Sequence, residues 1–128
     1  MKYILSIDQS TSGTKALLLD ETGALAGRAD VPHRQMIDQQ GWVSHDPMEI
    51  YRNTITVTRD LLDSTGADPE SIVAMGISNQ RETALIWDRD TGEPVADAVV
   101  WQCGRAQPIC DRLESHAEAI RQRTGLRL

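Results

Sequence analysis

Small polar side chains follow the first apolar run of the chain in a pattern suited to holding phosphate. The run from Tyr3 to Ile7 ends in Asp8, and segment 9–15 (QSTSGTK) supplies hydroxyls, a glycine and a lysine before a second apolar run. Backbone amides in such a turn can form a concave anion site. The Asp8 carboxylate would repel a phosphate directly, but an Mg²⁺ ion between the two would make their proximity favourable. A plain polar turn capped by its aspartate is the alternative, and composition alone favours it. The phosphate hypothesis therefore depends on what the rest of the chain supplies.

A second polar group follows an apolar run of strand length at residues 78–83 (SNQRET). Ends of strands are where α/β proteins bind ligands. Arg81 offers a planar set of donors and Glu82 offers acceptors, so the pair could hold the hydroxyls of a polyol. Adjacent residues on an extended segment point to opposite faces, so a shared ligand requires a turn here. The alternative is an ion-paired surface turn.

A third candidate site lies at residues 99–102 (VVWQ), where a tryptophan and a glutamine follow the apolar residues of a predicted strand. Trp101 could cover the carbon face of a small polyol while Gln102 meets a hydroxyl. A tryptophan after two valines is more often part of the core. No cluster of histidine, cysteine and carboxylate has metal-ligand spacing, which argues against a metal site built from protein ligands alone.

The elements that would position these residues begin with three strands. Residues 2–8, 14–20 and 24–33 read as strands joined by short turns, which predicts an antiparallel meander. Residues 33–45 lose periodicity and predict a surface loop.

A helix is then predicted to begin at Pro47, with Asp46 as the N-cap and Glu49 reaching back to the cap. It should end near Thr65, with Gly66 as its C-terminal cap. Its expected apolar face comprises Ile50, Tyr51, Thr54, Ile55, Val57, Thr58, Leu61 and Leu62.

The nearly continuous apolar run 71–78 predicts a strand covered on both faces, joining the sheet in the parallel sense. Two further strands are expected at 83–87 and 95–101, and one or two helices between 105 and 124. The sequence therefore predicts a single α/β domain with a mixed sheet and flanking helices.

Composition narrows the function classes. The chain has 19 acidic and 13 basic residues and a net charge of -6, so it lacks the clustered positive charge of nucleic-acid binders. We expect no membrane span and no signal peptide, and hence a cytoplasmic protein. Cys103 and Cys110 match neither a redox pair nor a zinc motif, so reduced, unliganded thiols are expected.

The three polar sites occur in an order found in a known family. The chain resembles the N-terminal part of the FGGY carbohydrate kinases, and within that family the members that phosphorylate glycerol. The matching segments are 3–11 (YILSIDQST), 41–50 (GWVSHDPMEI), 76–83 (GISNQRET) and 100–103 (VWQC).

The resemblance implies an actin-like, ribonuclease-H-like domain in a two-domain kinase that uses ATP and Mg²⁺. It implies that Arg81 and Glu82 hold glycerol hydroxyls and that Trp101 packs on the carbon chain. Asp8 would position Mg²⁺, through water, and the expected nucleotide side comprises Asp8, Gln9, Thr11, Ser12, Gly13 and Lys15. Ser10 stands where the family has glycine, Gly13 where it has a hydroxyl residue and Lys15 where it often has arginine, so the phosphate loop is a variant.

The resemblance also implies that residues 1–128 are a partial N-terminal domain, with the general base and the adenine-binding domain beyond Leu128. No catalytic residue is therefore expected in this chain, and the chain alone should have no kinase turnover. The complete enzyme is expected to be a homo-oligomer. The alternatives are a kinase of the same family for another polyol or sugar, and a stand-alone nucleotide-binding module.

Overall fold

A computed structural model describes residues 1–128, in which a mixed sheet packs against one long helix. The main sheet has the strand order β3-β2-β1-β6, with β1, β2 and β3 antiparallel and β6 parallel to β1. A second sheet has the order β4-β5-β7. The elements are β1 (Tyr3–Ser10), β2 (Gly13–Asp20), β3 (Leu25–Pro32), β4 (Met36–Ile37), β5 (Val43–His45), α1 (Pro47–Thr65), β6 (Ile72–Asn79), β7 (Ala98–Val99), α2 (Gln107–Leu113) and α3 (Ala117–Thr124).

The predicted meander is confirmed, and its first hairpin is tighter than expected. Pairing continues past Asp8 opposite Lys15 to Ser10 opposite Gly13, which leaves only residues 11–12 in the turn. The Ser10 hydroxyl donates to the Gly13 carbonyl at 2.9 Å and closes the hairpin end. Residues of the predicted phosphate loop are therefore largely strand.

The core lies between this meander and α1. Alternate residues of β1 and β2 point toward the helix, as the two-residue period of a strand requires. The core cluster comprises Leu5, Ile7, Ala16 and Leu18 from the sheet with Val57 and Leu61 from the helix.

The helix prediction is confirmed at both ends. The Asp46 side chain accepts from the second helical N–H at 2.8 Å. Gly66 takes the left-handed conformation, with φ 65°, and its N–H donates to the Leu62 carbonyl. The expected return of Glu49 to the cap is wrong: its Oε1 accepts from the Arg34 N–H at 2.8 Å, which ties the helix start to the segment after β3.

Two members of the expected apolar face, Tyr51 and Ile55, are exposed. The helix packs on β2 and β3 and only marginally on β1, so the side chains that point beyond this contact remain uncovered.

The strand β6 is parallel to β1, as expected, but the prediction that it is covered on both faces is wrong. Val73, Met75 and Ile77 share a face with the buried residues of β1, yet each is more than half exposed. The reason is that α1 packs on this face over β2 and β3 and does not reach β6 at the far edge of the sheet.

Residues 33–45 are not simply a loop, because they contain β4 and β5, and Val43 and His45 are buried. The strands expected at 83–87 and 95–101 are largely irregular. Only Ala98–Val99 is a regular strand; single bridges join Ala84 to Val99 and Trp87 to Pro94. Turn-forming residues and Pro94, which lacks an N–H, interrupt the ladder.

The C-terminal helical region is confirmed as α2 and α3, and Gly125 ends α3 with φ 77°. Both cysteines are free thiols. None of the helices is long and apolar enough to cross a bilayer.

Candidate functional site

A cavity of about 300 Å³ lies at the ends of β1 and β6. The two strands are parallel, so their C-terminal ends meet at one edge of the sheet, where α/β folds bind ligands. We call this space the strand-end cavity; it is lined by Asp8, Ser10, Thr11, Asn79, Gln80, Arg81, Glu82 and Trp101. Five of the nine site residues expected from sequence therefore share one cavity: Asp8, Thr11, Arg81, Glu82 and Trp101.

Arg81 and Glu82 lie in a turn directly after β6, so the turn that a shared ligand would require is present. Glu82 has φ 61°, in the left-handed region that non-glycine residues seldom occupy. Such a conformation costs on the order of 1–3 kcal/mol and persists where the surrounding structure enforces it, often at ligand sites. Both Arg81 and Glu82 line the strand-end cavity.

Trp101 joins the two halves of the cavity. Its indole Nε1–H donates to the Thr11 hydroxyl at 2.8 Å, across 90 residues of sequence. The side chain is 55% exposed, so the interpretation of Trp101 as a core residue is wrong. The indole stands at the cavity with its ring available to a ligand and its N–H fixed to the tip of the β1–β2 hairpin.

Asp8 and Lys15 are opposite one another on β1 and β2 and form an ion pair with Lys15 Nζ 3.4 Å from Asp8 Oδ2. Lys15 Nζ also lies 3.4 Å from the Ser10 hydroxyl. Both side chains are partly exposed, so the pair adds little to stability. A single carboxylate facing the cavity, such as that of Asp8, is a suitable ligand for Mg²⁺, which keeps several waters and is usually bound through one or two carboxylates together with substrate phosphates.

The other expected nucleotide residues lie outside the strand-end cavity. Gln9 points to the opposite face of β1, where its Nε2 donates to the Thr54 hydroxyl at 2.7 Å. Ser12 is exposed at the hairpin tip. Gly13 packs so closely on β3 that an added Cβ would lie 2.6 Å from the Val31 carbonyl oxygen. The need for glycine at position 13 is thus explained by strand packing.

Three further lining residues, Ser10, Asn79 and Gln80, belong to the polar segments 9–15 and 78–83 but were given no role from the sequence. The Gln80 Oε1 accepts from the Thr83 hydroxyl at 3.1 Å, and the same hydroxyl accepts from the Trp101 backbone N–H at 3.3 Å. Asn79 ends β6 and Gln80 follows it, and this position was a usable signal, since strand ends carry ligand contacts.

A thiol lies close in sequence to Trp101. Burial opposes ionisation of Cys103, but hydrogen bonds from Arg105 and from the Val43 N–H outweigh it and lower the pKa of the thiol. The Arg105 guanidinium lies 5.1 Å from the centre of the Trp42 ring and donates to the Val43 carbonyl and the Ser44 hydroxyl. This cluster anchors the segment after β7 to β5.

Comparison with known proteins gives consistent results. Glycerol kinase 2 of Thermotoga maritima is 47% identical over an alignment of 128 positions that covers 98% of this chain and 26% of that protein. The glycerol kinase of Caldanaerobacter subterraneus is 42% identical over an alignment of 127 positions that covers 98% of this chain and 26% of that protein. The chain thus spans about a quarter of the length of these curated relatives.

Among solved structures, Plasmodium falciparum glycerol kinase with ADP has a TM-score of 0.83 and 33% identity, over 94% of this chain and 25% of that one. Gluconate kinase from Lactobacillus acidophilus has a TM-score of 0.86 at 23% identity, over 98% of this chain and 25% of that one, and this likeness concerns the fold alone. The expected actin-like α/β fold is confirmed by these neighbours. Residues 3–128 match the N-terminal domain of the FGGY family of carbohydrate kinases, and the chain belongs to that family.

Proposed function

We propose that this chain forms the N-terminal part of an ATP-dependent glycerol kinase, which transfers the γ-phosphate of ATP to glycerol and yields glycerol 3-phosphate. The observation that carries the proposal is the strand-end cavity, in which Arg81, Glu82 and Trp101 face Asp8 and Thr11 of the hairpin. Eight relatives that are 42–47% identical to this chain are named glycerol kinases, which supports glycerol as the acceptor.

Arg81, Glu82 and Trp101 form the acceptor side in this proposal. The guanidinium donates to hydroxyl oxygens, the carboxylate accepts from hydroxyl protons, and the indole ring packs on the carbon chain. Because the Trp101 Nε1–H is already bonded to Thr11, the ring is held at a fixed place relative to the hairpin. The acceptor is thereby oriented with one hydroxyl toward the hairpin side of the cavity, and such positioning is the main contribution a kinase makes to phosphoryl transfer.

Asp8, with the hairpin tip and Lys15, forms the phosphate side. Thr11 and Ser12 are at the hairpin tip, and Lys15 adds a positive charge beside Asp8. Asp8 would hold Mg²⁺ through water, and the ion, when bound with ATP, neutralises charge on the phosphates. Gln9 and Gly13 then support the hairpin from its other face and from β3.

The proposed architecture assigns only one wall of the cleft to this chain. In it, residues 1–128 are part of the first of two domains, and the general base and adenine site belong to the remainder of the protein. Phosphoryl transfer requires both sides of a closed cleft. We further propose that the complete enzyme is a cytoplasmic homo-oligomer.

A coupled assay of ADP release by the complete protein tests the proposal. Glycerol, erythritol and xylulose are offered in turn with MgATP, and the proposal expects the highest kcat/KM for glycerol. A higher kcat/KM for erythritol or xylulose would contradict glycerol as the substrate and would assign the protein to another polyol or sugar of the family's substrate class. The isolated 128-residue chain serves as the matched control, and glycerol phosphorylation by it would contradict the assignment of the catalytic base to the remainder of the protein.

A further inference from the structure

A buried histidine lies directly behind the strand-end cavity. His45 ends β5, where pairing with Ala98 of β7 fixes its backbone, and its side chain is only 1% exposed. Its Nδ1 lies 3.3 Å from the Nε2 amide of Gln80, which lines the cavity next to Arg81. The other ring nitrogen, Nε2, is buried without a hydrogen-bond partner.

The contact with Gln80 determines the protonation state of the ring. With the Gln80 amide in the orientation of this structure, its NH₂ donates, so His45 Nδ1 is the unprotonated, accepting nitrogen and Nε2 carries the proton. A buried N–H without a partner is costly, and such groups in native proteins require an explanation. The explanation offered by the geometry is that the ring is placed for its bond to Gln80.

Through its other amide atom, Gln80 also holds the far end of the turn formed by residues 80–83. Its Oε1 accepts from the Thr83 hydroxyl at 3.1 Å, and that hydroxyl accepts from the Trp101 N–H at 3.3 Å. The Gln80 amide therefore braces the turn from residue 80 to residue 83, between which lie Arg81 and the strained Glu82. A brace of this kind is what a left-handed non-glycine residue requires to persist.

We propose that His45 is a positioning residue for the acceptor site, whose neutral imidazole fixes the Gln80 amide and so keeps Arg81 and Glu82 aimed into the cavity. The proposal rests on the proposed function for the identity of the acceptor. His45 touches no part of the cavity itself.

The surroundings of His45 favour the required neutral form. Burial lowers the pKa of His45, against an opposing effect of the Glu49 carboxylate. The His33 ring lies 6.0 Å away, and its pKa is lowered by burial and by His45. Protonation of His45 would leave the Gln80 amide N–H without its hydrogen-bond acceptor, because both nitrogens of an imidazolium donate.

Three variants of the complete protein test the proposal. His45→Leu removes the hydrogen-bond acceptor of the Gln80 amide, and His45→Asn keeps an oxygen near the position of Nδ1. Gln80→Met removes the hydrogen-bond donor at nearly unchanged side-chain shape. His33→Leu is the matched control, since His33 is also buried but bonds to Thr14 and Asn53 away from the cavity.

His45→Leu should raise the glycerol KM about 2- to 13-fold, the range for one neutral hydrogen bond, and leave the ATP KM within about 2-fold. His45→Asn should recover most of the glycerol affinity, and His45→Leu in the Gln80→Met background should add little. Because burial lowers the pKa of His45, the glycerol KM of the unmodified protein should rise only at pH values below the ordinary histidine pKa of about 6.5, and that of His45→Asn should rise less. His33→Leu should leave the glycerol KM within about 2-fold.

Equal changes in the glycerol and ATP KM values, or additive effects of His45→Leu and Gln80→Met, would overturn the proposal. If His45→Leu does not fold, as judged by circular dichroism, Gln80→Met and His45→Asn decide the question. If the unmodified protein does not phosphorylate glycerol, the proposed function fails separately. The brace is then judged from hydrogen exchange of the Gln80 side-chain amide, which His45→Asn should leave slow and His45→Leu should accelerate; no acceleration would overturn it.

Discussion

The left-handed conformation of Glu82 predicts a conflict between stability and acceptor binding. Glu82 has φ 61° in an exposed turn, where glycine would be the residue of lowest backbone energy. Glu82→Gly relieves the backbone strain and removes the carboxylate, whereas Glu82→Ala removes the carboxylate and keeps the strain. The two variants therefore separate the contribution of the backbone from that of the side chain.

The size of the effect follows from two opposing quantities. A left-handed conformation costs an L-residue roughly 1–2 kcal/mol, and glycine avoids this cost. Glycine also has more freedom in the unfolded chain, which lowers stability by about 0.4–1 kcal/mol relative to alanine. The expected difference is about 1 kcal/mol in the free energy of unfolding, with Glu82→Gly the more stable variant.

Urea denaturation of the 128-residue chain, followed by tryptophan fluorescence, measures this difference. In the complete protein both variants should raise the glycerol KM by roughly 10- to 100-fold, the range for hydrogen bonds to a charged group. Equal stability of the two variants would refute the strain argument. A normal glycerol KM in Glu82→Gly would refute the role of the carboxylate.

Three further predictions concern the elements around the cavity. Asp46→Ala removes the N-cap of α1 and should lower the free energy of unfolding by about 1 kcal/mol in urea denaturation, while a similar loss in Asp60→Ala, an exposed mid-helix control, would argue against a capping effect. Trp101→Phe keeps an aromatic ring but loses the 2.8 Å bond to Thr11; it should raise the glycerol KM about 2- to 5-fold, and an unchanged KM would show that the bond does not orient the ring. Burial lowers the pKa values of His33 and His45 below the ordinary 6.5, so the unfolded state binds more protons as pH falls below that value. The free energy of unfolding should therefore fall between about pH 7 and pH 5, and the decline should be smaller when both histidines are replaced by asparagine.

Local signals in the sequence were sufficient for the hairpin and for α1. Apolar residues alternate along β1 and β2, and Asp46-Pro47 and Gly66 mark the two ends of α1. Each of these signals depends only on neighbouring residues, and the structure agrees with them. The same local pattern predicts Asp8 as the last residue of its strand, but β1 continues to Ser10, so Asp8 lies two residues before the end.

Other features depend on distant parts of the chain and could not be predicted from local patterns. The exposure of Met75 depends on where α1 crosses the sheet, and the burial of His45 depends on pairing with residue 98. The bond between Trp101 and Thr11 joins residues 90 positions apart. The Glu82 conformation has no sequence signal, because glutamate is an unusual residue at positive φ.

In the proposed function, the strand-end cavity binds the polyol on one side and serves the phosphates on the other. Arg81→Ala in the complete protein tests it most directly, with the glycerol and ATP KM values measured in the same preparation. The glycerol KM should rise at least about 10-fold while the ATP KM stays within about 2-fold, because in the proposed site the guanidinium donates to hydroxyls and not to the nucleotide. Equal rises in both KM values, or no change in the glycerol KM, would contradict it.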